Sequence, residues 1–188
     1  GKAAQQSGKL GFFAEKNGFR IVPEDVHRLT ACMQQEFPGK PIFLLGHSMG
    51  SFIVRNVLSE YGTDYAGAVI MGTSGKNPLA RIAIPIATVI QWLKGGTYRS
   101  RFLKEAGFSG FNDRFPDDPS ENAWITGDTA QRDRNAADPL CSFTFTVSAY
   151  LDLYRMLTAV SSEKWARTLP KELPILLISG ADDPLGNY

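Results

Sequence analysis

Five consecutive residues, Gly46-His47-Ser48-Met49-Gly50, have the types and spacing for nucleophilic chemistry at a serine. A serine with a glycine two positions away on each side, set between a strand and a helix, is the pattern of a nucleophile elbow. Such a turn is too sharp for side chains at its flanks, so Gly46 and Gly50 are expected there and the Ser48 hydroxyl is pushed into the open. The chemistry this implies is acyl transfer through a serine ester, with the Met49 backbone N–H as one oxyanion donor. A second donor is expected from a strand–helix loop upstream of Gly1.

A serine hydroxyl attacks well only when an imidazole takes its proton and a carboxylate holds that imidazole. With an elbow the chain order is serine, acid, histidine. The acid is sought in Ser179-Gly180-Ala181-Asp182-Asp183-Pro184, which follows a short apolar run. Asp182 and Asp183 compete, and Asp183 is favoured because Pro184 biases it toward an extended backbone. The chain has two histidines, His27 and His47. His47, inside the elbow, points away from the proton to be taken, and His27 reads as a solvated mid-helix residue beside Arg28. The triad histidine is therefore expected after Tyr188.

The elements that position these groups are short. Residues 42–45 are an apolar strand leading into the elbow, and residues 51–61 carry Ile53, Val54, Val57 and Leu58 at helical spacing. Residues 1–18 read as loop. Pro23-Glu24-Asp25 predicts a helix start, with Val26, Leu29, Met33 and Phe37 on one side and Pro38-Gly39 as the stop. Further apolar strands are expected at residues 68–71 and 174–178. Continuously apolar strands alternating with helices predict a parallel α/β sheet covered by helices on both faces.

Three domain segments follow. Residues 1–72 form a core with the elbow, 73–173 a large, mostly helical cap insertion, and 174–188 the return to the sheet with the acid loop. The insertion is far too long for a simple crossover. It contains an apolar segment at 82–93, a polar irregular stretch at 107–119, and a helix at 147–160 with Val147, Tyr150, Leu151, Tyr154 and Leu157 on one face. It reads as a cap over the sheet's carboxyl edge, where open α/β sheets bind ligands.

A formal net charge of +1 without a local Lys/Arg cluster argues against nucleic acid as a partner. Cys32 and Cys141 lie far apart with no metal-ligand spacing, so no metal or disulfide framework is expected and a reducing, cytoplasmic setting is preferred. No stretch reaches the roughly 18 apolar residues of a membrane span. A fully apolar strand at 42–45 with nothing before it to pair on its other side suggests part of a longer polypeptide.

Elbow, insertion and acid loop together resemble the α/β-hydrolase superfamily. More narrowly, the chain resembles the bacterial monoacylglycerol lipase and lysophospholipase-like group, related to serine aminopeptidases. The resemblance rests on residues 46–51, Asp138-Pro139-Leu140-Cys141, Phe143-Thr144-Phe145-Thr146, and Gly180-Ala181-Asp182-Asp183-Pro184. It implies Ser48 as nucleophile, Met49 as oxyanion donor and Asp183 as triad acid. It also implies a lipid or other small ester as substrate, no cofactor, and an apolar cap segment that lines an acyl channel or meets lipid aggregates. An aminopeptidase, amidase or acyltransferase on the same machinery is an alternative reading, and a non-catalytic binding module is another.

Overall fold

The computed structural model describes residues 2–186. In chain order the elements are α1 (Lys2–Gln6), α2 (Gly18–Glu36), β1 (Phe43–His47), α3 (Met49–Tyr61), β2 (Gly67–Met71) and α4 (Pro78–Lys94). They continue with α5 (Arg101–Gly107), α6 (Thr129–Ala137), α7 (Val147–Val160), α8 (Glu163–Ala166) and β3 (Ile175–Ile178). The three strands are parallel in the order β1-β2-β3. His47 pairs with Met71 and Met71 with Ile178, so all three carboxyl ends lie level.

One face of this sheet is packed over β1 and β2, although Leu177 of β3, on the same side by register, is 68% exposed. Val54, Val57 and Leu58 of α3 form a core with Ala68 and Ile70 of β2 and with Tyr65. The other face departs from the expectation of two covered sides. Phe43, Leu45, Leu176 and Ile178, which share it by register, are 64%, 67%, 56% and 42% exposed. No helix among the described residues lies against them, although strands this apolar suit a doubly covered sheet.

The amino-terminal part also differs from expectation. Residues 2–6 are a short helix rather than loop, and α2 starts at Gly18, five residues before Pro23. Pro23 is inside α2, where it has no N–H to give to the Phe19 carbonyl. The physical reason lies far away in sequence. Asn17 supplies no side-chain cap, and the Asp152 carboxylate instead accepts from the Gly18 and Phe19 N–H groups. A Cβ on Gly18 would sit 2.2 Å from Asp152 Oδ2, so only glycine admits this contact. Burial pushes the Asp152 carboxyl upward, against the pull of those N–H donors and of Arg155.

Between β2 and β3 the chain makes the long helical excursion α4–α8. Helix α7 is its axis: Val147, Tyr150, Leu151, Tyr154 and Leu157 are all buried, and Thr146 caps it by accepting from the Ala149 N–H. Helix α4 packs Ala80 and Ala87 inward, with Ile84 and Ile90 beside them. Its opposite side carries Leu79, Ile82, Ile86, Val89 and Leu93, all exposed, next to Trp92 at 83% exposure. Asn77 starts α4 by accepting from the Ala80 N–H at 3.2 Å, Pro78 follows at the tolerant first position, and Gly95 ends it.

Candidate active site

Ser48 is the single residue between the end of β1 and the start of α3. Its backbone has φ 52° and ψ −120°, a conformation that L side chains rarely adopt. A residue held this way carries strain on the order of 1–3 kcal/mol and persists only where its surroundings fix it. Three bonds do so. The Ser48 N–H donates to the Met71 carbonyl at 3.0 Å. The Ser48 carbonyl accepts from the Ser51 N–H at 2.9 Å and from the Ser51 hydroxyl at 2.5 Å.

The two flanking glycines are not equivalent. A Cβ on Gly46 would lie 2.3 Å from the Gly50 carbonyl oxygen and 2.8 Å from Val54 Cγ2, so the close seam between β1 and α3 depends on it. A Cβ on Gly50 would meet nothing within 4 Å. The expectation that the turn itself excludes a side chain at both positions therefore holds for Gly46 alone. Met49 is the first residue of α3. Its N–H has no acceptor within the helix and lies at the positive end of the helix dipole.

Level carboxyl ends bring three loops together. Gly72 follows β2 with φ 53°, and its N–H donates to the Ile178 carbonyl at 2.9 Å. Ser48 follows β1, and the aspartate pair follows β3, two strand spacings or about 10 Å away. Asp183 is partly buried. Its Oδ1 accepts from the Leu185 N–H at 2.9 Å and its Oδ2 from the Ser179 hydroxyl at 3.4 Å. Asp182 is engaged elsewhere: Arg114, from the excursion, donates to its Oδ1 at 2.9 Å.

A Cβ on Gly72 would lie 3.1 Å from Asp183 Oδ2 and 3.3 Å from His47 Nε2, so the carboxylate and the imidazole flank one point above β2. His47 is exposed there and has no hydrogen bond to Ser48 among the described residues. His27 is not the solvated residue expected. It stacks on Tyr61 at 3.7 Å between ring centroids, with Nδ1 3.4 Å from Asp64 Oδ2. The expected position of the triad histidine, after Tyr188, lies outside the described residues.

Sequence reasoning missed the support beneath Ser48. Ser51 is fully buried, and because its one proton goes to the Ser48 carbonyl, its oxygen accepts from the Thr73 hydroxyl at 2.7 Å. Thr73 Oγ1 in turn accepts from Arg55 Nη1 at 3.1 Å. An arginine two turns beyond the serine, on the apolar side of α3, was the signal available. No group of His, Cys, Asp or Glu able to hold a metal is present among the described residues. An open depression of about 660 Å³, lined by Arg114, Pro116, Asp117, Ser120, Arg132 and Asp133, lies within the excursion and includes none of the elbow residues.

Residues 5–188 match the family described as serine aminopeptidase, S33. The chain belongs to that family. Human monoglyceride lipase is 29% identical over 169 residues, covering 89% of this chain and 49% of the human protein. The chain thus spans about half the length of that relative. A carboxyl esterase from Bacillus coagulans, solved in complex with glycerol, superposes with a TM-score of 0.92 at 29% identity. That match covers 100% of this chain and 61% of the esterase. A lipase solved in an open form follows at TM-score 0.85 and 23% identity, a likeness of fold. The S33 chain therefore has part of the parallel sheet of an α/β-hydrolase, with its helices, in these residues. No described helix is long and apolar enough to cross a membrane.

Proposed function

We propose that this S33 chain carries the nucleophile and acid of a carboxylic ester hydrolase working through an acyl-Ser48 intermediate. The observation that carries the reading is Ser48 itself, a strained non-glycine residue placed alone between a strand and a helix. In the proposed cycle Ser48 Oγ attacks the ester carbonyl and an imidazole takes its proton. The oxyanion forms against the Met49 N–H, and the alcohol leaves with the proton returned by the imidazole. Water then cleaves the acyl-serine by the same route. Asp183 orients the imidazole, which is supplied by a histidine outside these 188 residues.

The substrate is a lipid ester of the monoacylglycerol or lysophospholipid class. The similarity to monoglyceride lipase and to a glycerol-bound esterase supports this choice. The β2–β3 excursion acts as the cap that selects the acyl chain. The exposed stripe of α4 with Trp92 gives it an apolar face for transient contact with a lipid surface. A second reading, an aminopeptidase or amidase, is favoured by the S33 family description. Profiling short and long acyl esters against aminoacyl amides separates the two.

The decisive measurement is Ser48→Ala in the intact protein. It is expected to abolish p-nitrophenyl ester turnover with an unchanged circular dichroism spectrum. Turnover retained in a folded Ser48→Ala protein overturns the proposal.

A further inference from the structure

Arg55 is buried, 7% exposed, and no described ion pair includes it. Burial lowers its pKa to about 10, which still leaves a cation at neutral pH. A buried cation without a carboxylate is costly unless other groups solvate it. Here they do. Nη1 donates to the Ser74 carbonyl at 2.8 Å and to Thr73 Oγ1 at 3.1 Å, and Nη2 donates to the Val160 carbonyl. Val160 is the last residue of α7, so the guanidinium faces the negative end of that helix's dipole. The Trp165 ring lies 4.5 Å from Cζ, and its indole N–H donates to the Arg55 carbonyl at 2.8 Å.

These contacts form a continuous polar path through an otherwise apolar seam. It runs from the end of α7 through Arg55 to Thr73, from Thr73 to Ser51, and from Ser51 to the Ser48 carbonyl. A guanidinium can only donate, so Arg55 pins the acceptor oxygen of Thr73, and that oxygen fixes where the Ser51 hydroxyl sits. Ser51 bonds the strained residue twice, through its N–H and its hydroxyl. The path also joins two parts of the fold. Val160 and Trp165 belong to the excursion between β2 and β3, whereas Ser48 and Ser51 belong to the sheet and its first covering helix.

We propose that Arg55 is a positioning residue that, through Thr73 and Ser51, holds the Ser48 elbow and makes its geometry depend on the placement of the α7 carboxyl end. The proposal rests on the reading of Ser48 as nucleophile. A merely structural Arg55 would fasten α7 to α3 and affect stability alone; a positioning Arg55 affects kcat in proteins that remain folded.

Thr73→Val is the informative variant in the intact protein. It removes the oxygen between Arg55 and Ser51 but leaves the Val160, Ser74 and Trp165 contacts in place. Expected is a kcat about tenfold lower with KM within about twofold in protein that stays folded at the assay temperature, with only a modest fall in melting midpoint. Thr73→Ser, which keeps the hydroxyl, is expected to retain most of the wild-type kcat. The double variant Ser51→Ala/Thr73→Val is expected to lose no more than the worse single variant, as residues acting in series do. Folded Thr73→Val with wild-type kcat, or losses that multiply in the double variant, overturn the proposal. Ser48→Ala measured in the same assay separates the two readings. Residual turnover in Ser48→Ala removes the nucleophile assignment and the relay with it. A dead Ser48→Ala beside a fully active Thr73→Val removes the relay alone.

Discussion

Gly46→Ala places one methyl group in the seam between β1 and α3. The added Cβ would lie 2.3 Å from the Gly50 carbonyl oxygen, 2.7 Å from its carbonyl carbon and 2.8 Å from Val54 Cγ2. Two of these partners are main-chain atoms, which no rotamer change can move. Relief to ordinary contact requires strand and helix to separate by roughly 1 Å. Overpacking typically costs about 1–3 kcal/mol, and with backbone partners the upper end, about 3 kcal/mol, applies. At about 2–4 °C per kcal/mol for a domain of this size, the melting midpoint falls by about 6–12 °C. The same displacement moves Ser48, and a misplacement of about 1 Å costs roughly a hundredfold in rate. Calorimetry and ester turnover read both effects. Gly127→Ala serves as control, since its Cβ meets nothing within 4 Å. A Gly46→Ala protein that melts within about 2 °C of wild type and keeps its activity would refute the packing account of the elbow.

Asp183→Asn is expected to lower kcat by about 10⁴, as when the orienting acid of a triad is neutralised, while Asp182→Asn changes it by less than about threefold. Steady-state kinetics of both variants decide this, and the reverse pattern moves the acid role to Asp182. Burial pushes the Tyr150 phenol up to about 12 and raises Tyr154 as well. An acid whose folded pKa exceeds its unfolded value loses stability as pH rises between the two, so unfolding free energy falls from pH 10 toward 12, by about 2–3 kcal/mol from Tyr150. Phenolate absorbance with Tyr150→Phe as reference checks this, and ionisation of Tyr150 near pH 10 in folded protein contradicts it. Trp92→Glu, on the exposed side of α4, is expected to weaken binding to phosphatidylcholine vesicles at least severalfold and to leave turnover of a short soluble ester unchanged. Flotation with equal vesicle binding by variant and wild type rejects the lipid-facing role.

Much of the positioning scaffold was legible because its causes are local. The apolar runs before residue 46 and at 68–71 become β1 and β2, and the face of residues 147–160 becomes the buried face of α7 with the same bounds. The start of α2 was not legible, because its cap is a carboxylate 134 positions downstream of Gly18 and Pro23 imitates a local start signal. Helices α5 and α6 are short and polar, and they are begun by single capping side chains, Ser100 and Asp128. They leave no apolar periodicity to read. Around Ser48 the motif shows the residue that the geometry isolates, but not Ser51, Thr73 and Arg55 beneath it. Serine, threonine and arginine acquire that arrangement only when α3, the loop after β2 and the end of α7 meet.

The distance in sequence between β2 and β3 bears on how this molecule reaches its native state. Pairing Met71 with Ile178 closes a loop of roughly 100 residues, at an entropic cost on the order of 4 kcal/mol from chain length alone. Nothing in the sheet repays that cost until the loop is closed, because β3 adds only four residues to one edge. Helices α4 and α7 share a core with Leu103, to which α3 adds Phe52. Collapse of that core first would bring the ends of the excursion near each other and shorten the effective loop. The segment read as selecting substrate in the finished protein is thus expected to order the assembly as well, and pulsed hydrogen exchange in which β3 is protected before α4 and α7 would contradict this.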